Sequence, residues 1–278
     1  MSDEAKVIRN DGLYTPEIKK HSLEKIRLHN RYANIFSTSM SRKWPQRAYV
    51  GLYSGAGHAS VAGTGTVVET SALAVVTQAV PFTSYIFVDK NPACIDALKR
   101  RVARTRPSLK ATFIEADVNS SVAAVRRALP PFSKGNGLLC FCFVDPFDIQ
   151  LRFDTIRQLS DLRMDFLVLM MLGVDARRNF SAYLNDESST RIGDFIDCPN
   201  WRDDFKAPRK PIHFLLRKFD EAMVRVGYLS NIDQVHPVKV FGMGVLQYML
   251  AFYSKSELAQ RFWSDTRTSV SPQLGLQL

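Results

Sequence analysis

The sequence predicts a Rossmann-like α/β fold: a mostly parallel, doubly wound, seven-stranded sheet with a C-terminal hairpin, plus an N-terminal helix and a helical insertion. Three observations carry this. Five strand-like segments, "AYVGLY", "SYIFVD", "ATFIEAD", "GLLCFCFV" and "DFLVLMM", alternate with helical segments up to Gly173, the pattern of parallel strands joined by crossover helices. The fourth segment is apolar without interruption, as a strand covered on both faces must be. Beyond the break, "HPVKVF" and "VLQYMLAFYS" flank Gly242, Met243 and Gly244 and read as a closing antiparallel pair.

The elements follow in order. Residues 1–14 predict a poorly ordered lead. "TPEIKKHSLEKIRLHNRYANIFSTSM" predicts a helix with Thr15 as N-cap and Pro16 at its first position. Leu28, Tyr32, Phe36 and Met40 make its apolar stripe, and Trp44 and Pro45 end it. "TSALAVVTQAV" reads as helical. "NPACIDALKRRVAR" is a helix capped by Asn91, with Pro92 first and Ile95, Leu98 and Val102 on one face. "SVAAVRRAL" and "FDTIRQLSDL" are the next two helices. The expected organisation is an N-terminal helical extension over 1–45, a Rossmann-like cofactor-binding core over 46–173, a helical insertion or cap over 174–232, and the closing hairpin with a C-terminal helix and tail over 233–278. The tail "TRTSVSPQLGLQL" is expected to be loose.

Composition narrows the classes. Of the 278 residues 46% are hydrophobic, enough for a real core, yet the longest apolar runs fall far short of the roughly 18 residues that a membrane span needs. The charged N-terminus lacks an apolar signal core, so the cytoplasm is the expected compartment. Cys140 and Cys142 are one residue apart on a strand and face one side, which is neither metal-ligand nor disulfide spacing. Buried free thiols are the expected state, and no metal is expected. The net charge of +10 favours polyanionic partners, nucleic acid first, although a solvated basic surface gives the same number. "LKRRVARTRPSLK" (98–110) holds six basic residues and no acid, and "WRDDFKAPRKPIHFLLRK" (201–218) is a second, mixed cluster interleaved with aromatics.

In an open parallel sheet, ligands bind at the carboxyl ends of the strands near the topological switch point. After the first strand come Ser54, Gly55, Ala56 and Gly57, beside Tyr53. Two glycines let backbone approach a ligand closely, and His58 and Ala59 are expected to open a helix there. A tight turn is the equal alternative, and the next glycine, Gly63, is misplaced for a dinucleotide loop. After the second strand come Asp89 and Lys90; Asp89 is placed to accept ribose hydroxyls, or is a helix-start carboxylate. After the third come Asp117 and Val118; Asp117 can accept from an exocyclic amine, or is a plain N-cap. After the fourth stand Asp145, Pro146 and Phe147. The Asp145 carboxylate and the Pro146 carbonyl can accept both hydrogens of an aromatic NH2 group, aiming the nitrogen lone pair at an electrophile, while Phe147 stacks on the base. An ordinary Asp-Pro turn is the alternative. Together the four strand ends make the arrangement of a class I S-adenosylmethionine-dependent methyltransferase, with S-adenosylhomocysteine as product.

The chain also resembles a family, the three-Cys-motif partner (TcmP) proteins. The resemblance rests on the leading helix with His21, Lys25 and Tyr32, on "YVGLYSGAG", "FVDPFD", "DFLVLMMLGVDARRN", "FIDCPNW" and "LQYMLAFYSKSELAQRFW". It implies a class I methyltransferase-like fold and a separate three-cysteine protein as partner. Two positions depart. Gly51 stands where an acidic residue is usual before the glycine loop, which weakens the expected hold on the methionine end of the cofactor. Asp148 stands where glycine commonly follows Asp-Pro-Phe.

Arg177, Arg178 and Asn179, just past the fifth strand, are candidates to hold a phosphate or the methyl acceptor, or form an exposed helix start. His21 and Lys25 read as a solvated face, with a contact to a lid or partner as the alternative. The leading functional reading is methyl transfer to an exocyclic amino nitrogen of a DNA or RNA base, with Asp145 and Phe147 at the acceptor and Asp89 and Asp117 at the adenosine. The second is a non-catalytic binding module that works with a three-cysteine partner. The incomplete glycine pattern and the Asp-Pro-Phe run argue against a third, a nucleotide-dependent oxidoreductase.

Overall fold

A computed structural model describes residues 6–133, 135–173, 177–205, 210–240 and 243–270. Its main sheet has seven strands: β3 (Gln46–Leu52), β6 (Ser84–Asp89), β7 (Ala111–Glu115), β8 (Leu138–Val144), β9 (Met164–Met170), β10 (His236–Lys239) and β11 (Leu246–Tyr253). Their spatial order is β10-β11-β9-β8-β3-β6-β7. β3 pairs in parallel with both β6 and β8, while β11 runs antiparallel to β9 and β10. The chain starts in the middle, winds outward to β7, returns to β8 and finishes with one reversed strand. This is the class I methyltransferase fold. Among the described residues no helix is long and apolar enough to cross a membrane.

The pleat divides the core into two faces. Ala48, Val50, Leu52, Cys140, Cys142 and Val144 pack under α4 (Val122–Ala128), α5 (Phe153–Leu159) and the insertion. Tyr49, Phe87, Phe141, Phe143 and Phe252 pack on the other face against α1 (Ser22–Met40), α3 (Pro92–Thr105) and α10 (Glu257–Val270). Each valine, leucine or phenylalanine among them stabilises the fold by about 1.5–3 kcal/mol. The period of two puts both cysteines on one face, where they are buried free thiols. Beyond β9 the described residues form the helices α6 (Arg177–Asn185), α7 (Arg191–Ile196), α8 (Trp201–Asp204) and α9 (Pro211–Arg225).

Five local expectations are corrected. The lead is ordered from residue 6: β1 (Val7–Ile8) pairs with β5 (Val67–Glu69). Helix α1 begins at Ser22 rather than after Thr15, because Glu17–Ile18 form β2, parallel to β4 (His58–Val61). The Ser60 and Ala62 amides donate to Pro16 O and Ile18 O at 2.9 and 2.8 Å, so backbone pairing outweighs the Pro-capped helix start. For the same reason His58 and Ala59 lie in a strand of a small second sheet, ordered β1-β5-β4-β2, and do not open a helix. The stretch 70–80 keeps only one helical turn, α2 (Ser71–Ala74). The start of the expected loose tail is helical as far as Val270, because α10 docks on α1 through the fully buried Trp263.

Asp165 on β9 is buried, and burial pushes its carboxyl up to about 7, held back by hydrogen bonds from Ser254 and Tyr32. A raised value in the folded chain means that the folded state holds this proton more tightly than the unfolded one. Stability therefore falls as pH rises from the unfolded carboxylate range near about 4 toward 7. Asp165→Asn keeps the shape and removes the titration. We expect its melting temperature to gain on wild type more at pH 8 than at pH 4; an equal difference at both would refute the assignment.

Candidate active site

The glycine loop is a set of forced turns. Beyond Leu52 the backbone enters the left-handed region at Tyr53 (φ 63°), Gly55 (φ 65°) and Gly57 (φ 84°). At Tyr53 this strain is of order 1 kcal/mol and is held by neighbours. The Ser54 amide donates to Val88 O at 2.9 Å. Ser54 Oγ donates to Gly51 O at 2.8 Å and accepts from the Val88 amide at 3.2 Å. The Gly55 amide donates to Asp89 Oδ2 at 2.8 Å. Nothing stands within 4 Å of a Cβ placed on Gly55, so its backbone faces open space.

The same serine explains the missing acid. A Cβ on Gly51 would lie 2.7 Å from Ser54 Oγ and 3.3 Å from the Tyr49 ring, so the hydroxyl occupies the space a side chain would need. Gly51→Ala is expected to destabilise the protein by about 1–3 kcal/mol through overpacking, and the double variant Gly51→Ala/Ser54→Gly to recover part of it. Thermal unfolding of the three proteins checks this; no loss in the single variant refutes it.

Asp89 is buried, and its second oxygen accepts from the Asn91 amide at 2.9 Å. It thus fixes the loop and still has lone pairs to offer. Lys90 is exposed and Val118 buried. Asp117 is an exposed N-cap, accepting from the Asn119 amide at 2.9 Å, and borders a separate groove of about 560 Å³ beside Arg152 and Arg191. Tyr53 opens the glycine loop. Its hydroxyl is buried and has no partner among the described residues, and burial together with the charges of Asp117, Asp148 and Asp89 pushes the phenol well above its ordinary value. A buried neutral hydroxyl left without a protein partner is available to a ligand.

Asp145 sits on the other side of β3. Its carboxylate is held by Lys25 of α1, with Nζ at 2.6 and 2.7 Å from the two oxygens. This corrects the solvated reading of Lys25; its neighbour His21 is half-buried, and its carbonyl accepts from the Tyr248 hydroxyl at 2.9 Å. Pro146 is buried, and Phe147 is 76% exposed. One turn along α1, His29 is fully buried and pushed down to about 4 by desolvation, hence neutral. Nδ1 meets Asn30 Oδ1 at 2.9 Å, so Nε2 accepts from the Tyr49 hydroxyl, also at 2.9 Å.

A strap completes the site. Arg101, 2% exposed, grips Asp11 with two nitrogens at 2.8 and 2.6 Å and donates to Tyr14 O, Thr15 Oγ1 and Ala56 O at 2.9, 3.0 and 2.7 Å. One residue of the expected basic surface cluster therefore lies inside, tying the N-terminal segment to the glycine loop. Pro16, Glu17 and Ile18 then line a cleft with Lys25, Tyr49, Gly51, Tyr53, Ser54, Gly55, His58, Asp145 and Phe147.

Tyr53, Ser54, Gly55, Asp145 and Phe147 thus share one cleft. Asp89 braces it from behind. Gly57 packs the loop on α3, where a Cβ would lie 2.9 Å from Leu98. Arg178 and Asn179 are exposed at the start of α6 and do not line the cleft; the Arg177 side chain lies outside the described residues, as do residues 174–176. Sequence reasoning left Lys25 as a solvated face or a contact to a lid or partner, and it missed His29 and Arg101. The signal for the first two was present: Lys25 and His29 precede Tyr32 and Phe36 at helical spacing, on the stripe that packs inward.

No protein-family model and no curated protein matches the chain. In structure it is similar to a Legionella pneumophila protein of the family model DUF519, at 10% identity, over 89% of this chain and 91% of that one, with a TM-score of 0.50. This likeness bears on the fold alone. Looser matches, both with a TM-score of 0.43, are magnesium protoporphyrin IX methyltransferase from Synechocystis with bound SAH (9% identity, 84% and 87% covered) and P. horikoshii TYW2 in complex with MeSAdo (12% identity, 92% and 73% covered).

Proposed function

We propose that the protein is an S-adenosylmethionine-dependent methyltransferase acting on an exocyclic amino nitrogen of a DNA or RNA base. The observation that carries this is that Asp145 and Phe147 line one cleft with the loop Tyr53 to Ala56, at the carboxyl ends of β3 and β8. The polar groups of the loop suit the adenosine half of the cofactor: Asp89 behind it as an acceptor for the ribose, the Tyr53 hydroxyl as a donor, and open backbone at Gly55. For the methionine ammonium, Gly51 offers nothing, and Glu17 on the strap is a second carboxylate in the cleft lining besides Asp145. The cofactor supplies the electrophilic methyl group.

The chain's own work is orientation. Asp145 accepts an N–H of the target amine on a lone pair that Lys25 leaves free, since a carboxylate has about four acceptor sites and an ammonium three donors. Phe147 stacks on the base, which adds roughly 1–3 kcal/mol. A base within a duplex has to be flipped out to reach it. The cleft as it stands has about 80 Å³, room for a few waters at about 10–15 Å³ each, so a nucleoside-sized ligand requires the strap to lift.

A second reading is favoured by Gly51 and the narrow cleft: a methyltransferase-like binding module that works with a three-cysteine partner protein. Titration calorimetry with S-adenosylmethionine and S-adenosylhomocysteine, followed by transfer of a labelled methyl group to mixed DNA and RNA, separates the two. Binding and labelling support the enzyme. A folded sample that binds neither compound supports the module.

A further inference from the structure

At the opposite end of the sheet lies a cavity of about 690 Å³ that the methyl-transfer reading does not use. It is formed where the chain enters β3 and β8 at their amino ends, paired through Gln46 and Leu138. Asp145 and Ser54 stand beyond the carboxyl ends of the same two strands, roughly 20 Å away at about 3.3 Å per residue.

The lining is aromatic and cationic. Trp44 is half-buried and held in place: a Cβ on Gly137 would lie 2.9 Å from its ring, and the Arg163 guanidinium covers it at 5.2 Å from the centroid. Phe132 is 58% exposed, an unusual placement for a large apolar ring. Lys43 and Arg163 add two positive charges. The acid in the lining, Asp161, is neutralised by Arg126, whose two terminal nitrogens lie 2.6 and 2.9 Å from its oxygens. Arginine stacked on an aromatic face still presents its N–H edge to a phosphate, and an open ring beside cations is how single-stranded nucleic acid is held without regard to sequence.

We infer that this cavity is a second nucleic-acid subsite, taking a base of a single strand on Phe132 and Trp44 and its phosphates on Lys43 and Arg163. The inference rests on the nucleic-acid part of the proposed function. It extends that reading by requiring a strand long enough to run around the molecule from the subsite to the methyl-transfer cleft.

The protein carries its own reporter. It has three tryptophans, and Trp201 and Trp263 are 0% exposed, so solvent-sensitive emission comes from Trp44. With no cofactor present, a single-stranded oligothymidylate is expected to quench the emission saturably and less so at high salt, and Trp44→Phe to abolish the signal. In fluorescence anisotropy with a labelled oligonucleotide, Phe132→Ala and Lys43→Glu/Arg163→Glu should each weaken binding roughly tenfold. Oligonucleotide binding that these substitutions leave unchanged, or no binding to wild type, overturns the assignment. So does quenching by a peptide of a three-cysteine partner but not by the oligonucleotide, which would make the cavity a protein contact. Because the readout needs no methyl transfer, failure of catalysis leaves it intact, and Phe132→Ala should keep its calorimetric response to the cofactor.

Discussion

Asp145→Ala is expected to lower methyl transfer by about 10²–10³-fold while leaving cofactor binding within a few-fold of wild type. The carboxylate lines the cleft together with Phe147 and lies on the far side of β3 from Asp89. Its loss removes the group that would hold the amine in line, without touching Ser54 or Gly55. The single substitution also strands Lys25, whose side chain is only 15% exposed, so instability could imitate loss of function. Lys25→Ala/Asp145→Ala removes both halves of the pair and should restore the melting temperature while staying inactive. Single-turnover transfer, calorimetry and thermal unfolding on all three proteins decide the matter. A double variant that regains activity would show that Asp145 only neutralises Lys25.

Arg101→Met is expected to cost a few kcal/mol of stability, less than the roughly 3–5 kcal/mol for breaking a fully buried ion pair from one side, because the Asp11 side chain keeps 20% exposure. A loss of that size is a large part of the roughly 5–15 kcal/mol that holds a domain together. Asp11 would lose its cation and Ala56 O its donor. The side-chain hydrogen bond from Arg101 is the largest reason the Asp11 carboxyl is held far below its ordinary value. A lowered value in the folded chain contributes stability that is present above the unfolded carboxylate range near about 4 and is lost as pH falls below it. The gap between wild type and Arg101→Met in urea unfolding should therefore be full at pH 6 and narrow steadily toward pH 2. Hydrogen exchange should show the strap over Asp11 to Ile18 opening faster in the variant. Arg101→Lys is expected to fail too, because one ammonium cannot replace a fork that serves Asp11, Thr15 and the carbonyls of Leu13, Tyr14 and Ala56. A gap that stays constant with pH would mean the pair contributes little.

Which parts were legible follows from range. The strands were readable because a parallel strand buried on both faces is apolar throughout, as in Leu138–Val144. The Asn91 cap was readable because capping involves neighbours two residues apart. The errors fell where a short segment found a distant partner. Glu17–Ile18 left the Pro-capped helix start because Ser60 and Val61 offered a ladder, and His58 and Ala59 left their expected helix for that same ladder. Met1–Ala5, Val174–Ala176 and the end of the tail, 271–278, lie outside the described residues.

The candidate site divides along the same line. The alternation of apolar segments fixes the sheet, and the sheet fixes that Ser54, Asp89, Asp117 and Asp145 fall at its carboxyl ends, since each ends a strand or follows one within two residues. Local patterning suffices for that because a strand's direction and faces are set by its own residues and their immediate neighbours. It could not say that Lys25 closes on Asp145 across 120 residues of chain, that Arg101 turns inward to bind Asp11, or that Ser54 fills the space at Gly51. Those are contests between side chains far apart in sequence for one buried position, and they are resolved only by packing density and by the need of each buried charge for a partner.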